Sequence, residues 1–421
     1  NDTAIVLNVI PGGPSEKAGL LQGDRIIMVD ERVIAGSKTP QDTMVGLMKG
    51  PSGTKVKITV NRDGTSIPFE ITRGKIPVHC VDAAFMVNDT TGYIRLSKFT
   101  RTTFNEFSEA RDKLLSQGMK RLVFDLRGNT GGYFDQALLL CNEFLEKGAP
   151  VVYMEGLHRK RQDFNADGKG MLKDMEVSVL TDESTASSSE IFSGAIQDND
   201  RGVIVGRRTF GKGLVQEPIN FTDGSGIRLT VARFYTPSGR CIQKPYSDDY
   251  AYDIYERYVH GEFTDADSMK VDKSIEYRTA GGRIVYGGGG IIPDLFVPMD
   301  TTKATDFFIK CNRKATQMRF ASAMFDRYKG SLAPIDDFGK LQIYLDSLDL
   351  GRLFLEYARD VDGIVPKKGE WEKTESYLLP QLYALVGRYS RLDDEAFYRF
   401  YIGIDETIKA ALNAPSVVSL D

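Results

Sequence analysis

Residues that could do nucleophilic chemistry cluster in "STASSSEIFSGAI" (184–196), where several serines precede a glutamate and an apolar run at helical spacing. Ser187 followed three positions later by Glu190 is a capping box, which closes two orphan amides at a helix start. Capping is the commoner use of such a pattern. The same place suits a nucleophile, because the free amides and partial positive charge of a helix N-terminus stabilise a developing alkoxide and a tetrahedral oxyanion. Spacing alone does not choose among Ser184, Ser187, Ser188 and Ser189. A serine hydroxyl also needs a base. The chain has three histidines, His79, His158 and His260, none in a hydrolase-like motif. The base is therefore sought among lysines, whose amine accepts a proton only when uncharged. Lys212 in "GRRTFGKGLVQEP" (206–218) is the candidate, with apolar Phe210 close by and a glycine on either side. If "GLVQ" is a strand, Lys212, Leu214 and Gln216 share one face, and Gln216 can hold the amine.

Other patterns compete less well. Gly206 to Lys212 fits the start of a phosphate-binding G-x-x-x-x-G-K-[ST] loop, but Gly213 supplies no hydroxyl and the following residues read as a strand rather than a helix. Ser52 and Lys55 form an S-x-x-K within a polar hairpin loop. "DFNADGKGMLKD" (163–174) resembles a calcium loop at Asp163, Asn165, Asp167 and Gly168, with Asp174 in place of the final glutamate. It lacks flanking helical patterns and is read as a surface Asx-type turn. Trp371 and the aromatic stripe of "AFYRFYIG" are read as helix core.

Composition bounds the elements that must position these groups. A length of 421 residues argues for about three domains. With 54 basic and 58 acidic residues there is no electrostatic footprint for nucleic acid or an anionic membrane. No apolar run is long enough for a transmembrane helix. Cys80, Cys141, Cys241 and Cys311 are far apart and read as free thiols. Residues 1–75 show short strands ("RIIMVD", "KVKITVNRDG") around one helical stretch, "QDTMVGLMKG". Residues 76–302 alternate strands and helices: "RLVFDLRG", the helix "YFDQALLLCNEFLEKG" closed by Gly148, "PVVYME", "VSVLTD", the serine stretch and "RGVIVG". Such alternation predicts a parallel or mixed sheet with ligands at the carboxyl ends of its strands. Residues 303–421 are mostly helical by periodicity, as in "TDFFIKCNRKATQMRFASAMFDRY" and "DDEAFYRFYIGIDETIKAALNA".

Two family resemblances follow. "VIPGGPSEKAGLLQGDRIIMVDERVI" (9–34) resembles the PDZ domains of bacterial-type proteases, whose carboxylate-binding loop precedes this segment. "STASSSEIFSGAIQDNDRGVIVGRRTFGKGLVQ" (184–216) resembles the core of the C-terminal processing, or tail-specific, proteases, the S41 serine peptidases. "TGYIRLSKFT", "FDLRGNTGGYFDQA", "TVARFYTPSGRCIQ" and "GGGGIIPDLFV" extend that likeness over nearly all of residues 1–300. The resemblance implies a PDZ-like domain at 1–75, an α/β protease core at 76–302 and a helical C-terminal domain at 303–421, expected either to pack on the core or to mediate homodimers. It makes Ser187 the nucleophile, Lys212 its general base and Gln216 the residue orienting that base. The oxyanion hole would be the backbone N–H of Ser188 with that of Gly132 or Gly131. No metal or cofactor is required. The implied substrates are protein or peptide C-termini, and the implied location is the bacterial periplasm or cell envelope, with any signal or anchor outside this sequence.

Overall fold

The computed structural model describes residues 3–10, 12–76, 78–246 and 250–415. They gather into two compact units. One takes the described residues of Asn1–Val78 and Ala304–Phe400, the other those of His79–Lys303 and Tyr401–Asp421. The helical end of the chain is thus shared between the units.

In the first unit an antiparallel sheet runs in the order Ala4–Ile5, Arg25–Val29, Lys55–Arg62, Thr65–Thr72, with Arg32–Val33 paired beside Arg25–Val29. Asp63 and Gly64, both at positive φ (54° and 84°), make the tight turn between its two longest strands. Alternate residues of Lys55–Arg62 point inward, so that Val56, Ile58 and Val60 meet Leu20, Val29, Ile34 and Ile71 in a small core. The helices of 306–400 enclose a second core around Phe307, Phe320, Phe325, Phe354, Leu378 and Leu382. Trp371 packs against it, edge-on to Phe307. "TDFFIKCNRKATQMRFASAMFDRY" forms two helices, Asp306–Arg313 and Thr316–Leu332, because Ala315 turns left-handed (φ 51°) between them.

The second unit is built on a six-stranded sheet ordered Leu295–Phe296, Val203–Gly206, Glu176–Thr181, Arg121–Asp125, Thr91–Leu96, Val81–Met86. All neighbours are parallel except the last pair, which is antiparallel. The central strands are buried on both faces, which is why they read as nearly unbroken apolar runs. On one face Leu122, Phe124, Val177, Val179 and Ile204 pack with Phe107, Phe144 and Phe192 of three helices. Against the sheet also lies Glu406–Asn413, in contact with the strands Arg121–Asp125, Glu176–Thr181 and Val203–Gly206. A second, antiparallel sheet runs Arg159–Asn165, Pro150–Gly156, Gly226–Tyr235, Leu214–Asn220.

Some local expectations shift. The helix expected to close at Gly148 spans Phe134–Phe144. Its last carbonyls are claimed from outside, that of Glu143 by Leu172 N–H and that of Phe144 by the Arg201 guanidinium. Asp163 and Asn165 lie in the Arg159–Asn165 strand, which is antiparallel to Pro150–Gly156. Asp167 accepts the amide of Lys169, an Asx turn, and Asp163 is paired with Arg161.

Candidate active site

Three loops leave the carboxyl ends of three adjacent parallel strands and meet in one place: 126–133 after Arg121–Asp125, 182–187 after Glu176–Thr181, and 207–213 after Val203–Gly206. Loops at this end of a parallel sheet are where such folds bind ligands. Together with the neighbouring antiparallel sheet they line a cavity of about 390 Å³ that contains Gly131, Gly132, Ser187, Ser188, Lys212 and Gln216.

Ser187 caps the helix Ser188–Asp198, whose residues are buried all round. Its backbone, at φ 59° and ψ −116°, lies in a region that costs a non-glycine residue about 1–3 kcal/mol. Surrounding bonds hold it there. Glu190 accepts the Ser187 amide at 2.8 Å, so the half of the capping box made by the glutamate is present. The same carboxylate accepts Thr209 Oγ1 at 2.5 Å, Gly211 N–H at 2.7 Å and Lys212 N–H at 2.8 Å. One fully buried side chain therefore ties the backbone of the serine to the backbone of the lysine loop. Burial pushes the Glu190 carboxyl above its ordinary value, opposed by these hydrogen bonds.

The glycine loop is fixed as firmly. Buried Asn129 donates to Leu96 O, accepts Gly131 N–H on its side chain, and receives Ala186 N–H and the Ser189 hydroxyl on its carbonyl. Gly131 (φ 90°) must be glycine, since a Cβ would stand 2.7 Å from both Ala186 O and Ser187 Cβ. At Gly132 (φ 151°) a Cβ would lie 2.0 Å from Phe99 O. Of the two glycine amides, that of Gly131 is taken by Asn129; Gly132 and Ser188 both line the cavity, and the Ser188 hydroxyl donates to Gly132 O at 3.0 Å.

The lysine loop is braced from its other side. Gly213 N–H donates to the Gln243 side chain at 3.0 Å, and Lys244 N–H to Gly211 O at 2.9 Å. The Lys244 ammonium lies 4.4 Å from the centre of the Phe210 ring. Arg257 donates to the carbonyls of Arg208 and Thr209, and Glu262 pairs with both Arg208 and Arg257. Lys212 itself precedes the strand Leu214–Asn220 instead of opening it, and a bulge between Val215 and Gln216 breaks the two-residue alternation. Gln216 is exposed. Among the described residues, neither Gln216 and Lys212 nor Lys212 Nζ and Ser187 Oγ share a hydrogen bond. Phe134, Met154, Leu214, Val215 and Phe234 give the cavity an apolar wall, with Phe134 stacked on Phe234 at 5.3 Å. All three histidines are exposed and none lines this cavity. No group of three or more His, Cys, Asp or Glu side chains among the described residues could hold a metal ion.

The chemistry available is that of a serine hydroxyl on a strained turn at a helix start with an amine in the same cleft, parts of an acyl-transfer site. Glu190 as a clamp and Asn129 as a hub were not legible as such in the sequence. Glu190 reads as a helix cap, and "GNTGG" shows its glycines more plainly than its asparagine.

A small β domain and an α/β unit with a serine and a lysine in one cleft invite comparison with known proteins. Residues 90–252 match Peptidase family S41 and residues 1–72 match a PDZ domain. Over these residues the chain is similar to peptidase family S41 and to its C-terminal processing proteases. It is 35% identical over 241 residues to the carboxy-terminal processing protease CtpA of Bacillus subtilis (strain 168), covering 57% of this chain and 51% of that one. It is 36% identical over 239 residues to the "Probable CtpA-like serine protease" of Staphylococcus haemolyticus (strain JCSC1435), covering 56% and 47%. The chain spans about half the length of the curated relatives it matches. The solved photosystem II D1 C-terminal processing protease aligns with 71% of this chain and 69% of its own at 27% identity, with a TM-score of 0.38.

Proposed function

We propose that the protein is a serine endopeptidase that cleaves C-terminal regions of proteins or peptides through an acyl-enzyme, with Ser187 as nucleophile and Lys212 as general base. The observation that carries this reading is the Glu190 carboxylate, which bonds the Ser187 and Lys212 amides at 2.8 Å each and so fixes two chain segments in one cleft. In the reaction, neutral Lys212 takes the hydroxyl proton as Ser187 Oγ bonds to the scissile carbonyl carbon. The resulting oxyanion is held by the amides of Ser188 and Gly132. Protonated Lys212 gives its proton to the departing amine as the C–N bond breaks, and water then hydrolyses the ester by the same route in reverse order of roles. Gln216 orients the lysine amine once substrate fills the cleft. No metal or cofactor takes part. The PDZ domain docks the substrate's C-terminus, and the family resemblance argues for an exported enzyme of the periplasm or cell envelope.

A second reading is a resting form or a peptide-binding scaffold. It is favoured by one observation, the missing hydrogen bond between the Ser187 hydroxyl and the Lys212 amine. Casein cleavage by the parent chain, Ser187→Ala and Lys212→Ala separates the two. The peptidase reading expects activity in the parent and loss in both variants. A folded but inert parent that stays inert when C-terminal peptides are added would sink it in favour of the scaffold.

A further inference from the structure

Five residues before Gly132 stands Arg127, whose guanidinium is held between two carboxylates. On one side Nε and Nη2 donate to Asp125 at 3.0 and 2.7 Å. On the other, Nη1 lies 3.0 and 2.8 Å from the two carboxylate oxygens of Asp405. Asp125 also accepts the Arg127 amide and the Tyr93 hydroxyl, and Arg95 donates to Arg127 O. The turn from which the glycine loop departs is therefore fixed by ion pairs on both sides, and one of them comes from residues 401–415.

We infer that Asp405 is a positioning residue for the oxyanion loop, acting through Arg127; the inference rests on the serine-peptidase reading above. The helix Glu406–Asn413 does not need this contact to stay docked. Arg121 donates to the carbonyls of Ala411, Leu412 and Ala414 near its end, while Thr407, Ile408 and Ala411 are buried. Nor does the helix need the charge for its cap, since one oxygen of Asp405 already receives Thr407 N–H and Ile408 N–H at 2.9 and 3.1 Å. What the carboxylate adds is its reach to Arg127. Asp405 is nearly buried and 278 residues away in sequence, so this grip on the glycine loop forms only when the end of the chain returns to the sheet.

The test compares Asp405→Asn, which keeps a capping oxygen and drops the charge, with Arg121→Gln, which loosens the same helix without touching the loop. Cleavage of a fluorogenic casein-derived peptide is followed with thermal melting and amide hydrogen exchange at 128–132. Asp405→Asn is expected to lower kcat by about 10- to 100-fold with KM nearly unchanged, and to speed exchange in the loop. Arg121→Gln is expected to lower the melting temperature while kcat and loop exchange stay near the parent's. Parent-like kcat and exchange in Asp405→Asn, or an equal loss of kcat in Arg121→Gln at matched destabilisation, overturns the inference. A parent that does not cleave even with C-terminal peptides added, or that cleaves equally well as Ser187→Ala, refutes the peptidase reading instead; loop exchange in Asp405→Asn then decides the positioning role by itself.

Discussion

Four donors converge on the two carboxylate oxygens of Glu190, two of them backbone amides of the proposed catalytic pair, Ser187 and Lys212. A glutamine of the same size would turn an amide nitrogen toward donors where an oxygen had accepted them. Hydrogen bonds to a charged group are worth about 1.5–3 kcal/mol. Glu190→Gln is therefore expected to lose about 2 kcal/mol of stability in denaturant titration. Its kcat should fall by roughly tenfold or more as the serine and lysine segments lose register. If Glu190→Gln loses stability but keeps parental kcat, the carboxylate is a cap and nothing more. The strained φ of Ser187 belongs to the same economy, because the amide that this conformation turns inward is the one that Glu190 accepts.

The elements explain why the three loops meet. Three neighbouring parallel strands end at the same edge, and the helix begun by Ser187 is buried all round, so its N-terminus cannot drift. The strand Arg121–Asp125 ends in a carboxylate with no solvent exposure. Burial alone would raise the Asp125 carboxyl, but the Arg127 and Arg95 guanidiniums outweigh it and hold the group well below the usual carboxylate range. A carboxyl depressed in the folded state adds stability that is full above its unfolded value, about 3.9, and is lost as pH falls toward the folded value. The melting temperature of this unit is thus expected to decline between about pH 4.5 and pH 2.5. Asp125→Asn should flatten that decline while costing about 3–5 kcal/mol at neutral pH, because it leaves two guanidiniums short of a partner. A variant with the parent's acid slope would show that other carboxylates set it.

At the scale of the molecule, the chain crosses between its two units more than once, and the first of them combines the PDZ domain with helices from 304–400. Within that unit a Cβ on Gly23 would meet the Phe325 ring at 2.6 Å, and Phe325 stacks on Tyr389 at 4.6 Å. Ion pairs Arg25–Asp326 and Lys329–Asp63 flank the contact. Truncating such a buried ring costs about 3–5 kcal/mol. Phe325→Ala should therefore lower the calorimetric transition of the unit that contains it and leave that of the Ser187 unit in place. If both transitions fall together, the two units are not independent in folding. Among the described residues, no helix is long and apolar enough to cross a membrane.

The sequence by itself determined the strands, because burial on two faces demands unbroken apolar runs and burial on one face demands alternation. It also determined the serine-capped helix and the resemblance to peptidase family S41. Its errors were local events decided from a distance. The Phe134–Phe144 helix stops where Leu172 and Arg201 take its carbonyls, and the bulge at Val215–Gln216 upsets a face inferred from simple alternation. Only the tertiary structure decided that Glu190 bonds the lysine loop, that Asn129 receives the Ser189 hydroxyl and that Asp405 grips Arg127. The physical reason is range: periodicity and capping act over a few residues, whereas these bonds join groups 22, 60 and 278 positions apart. Such pairs carry no local signature, and they exist only after the sheet has brought the ends of its strands together.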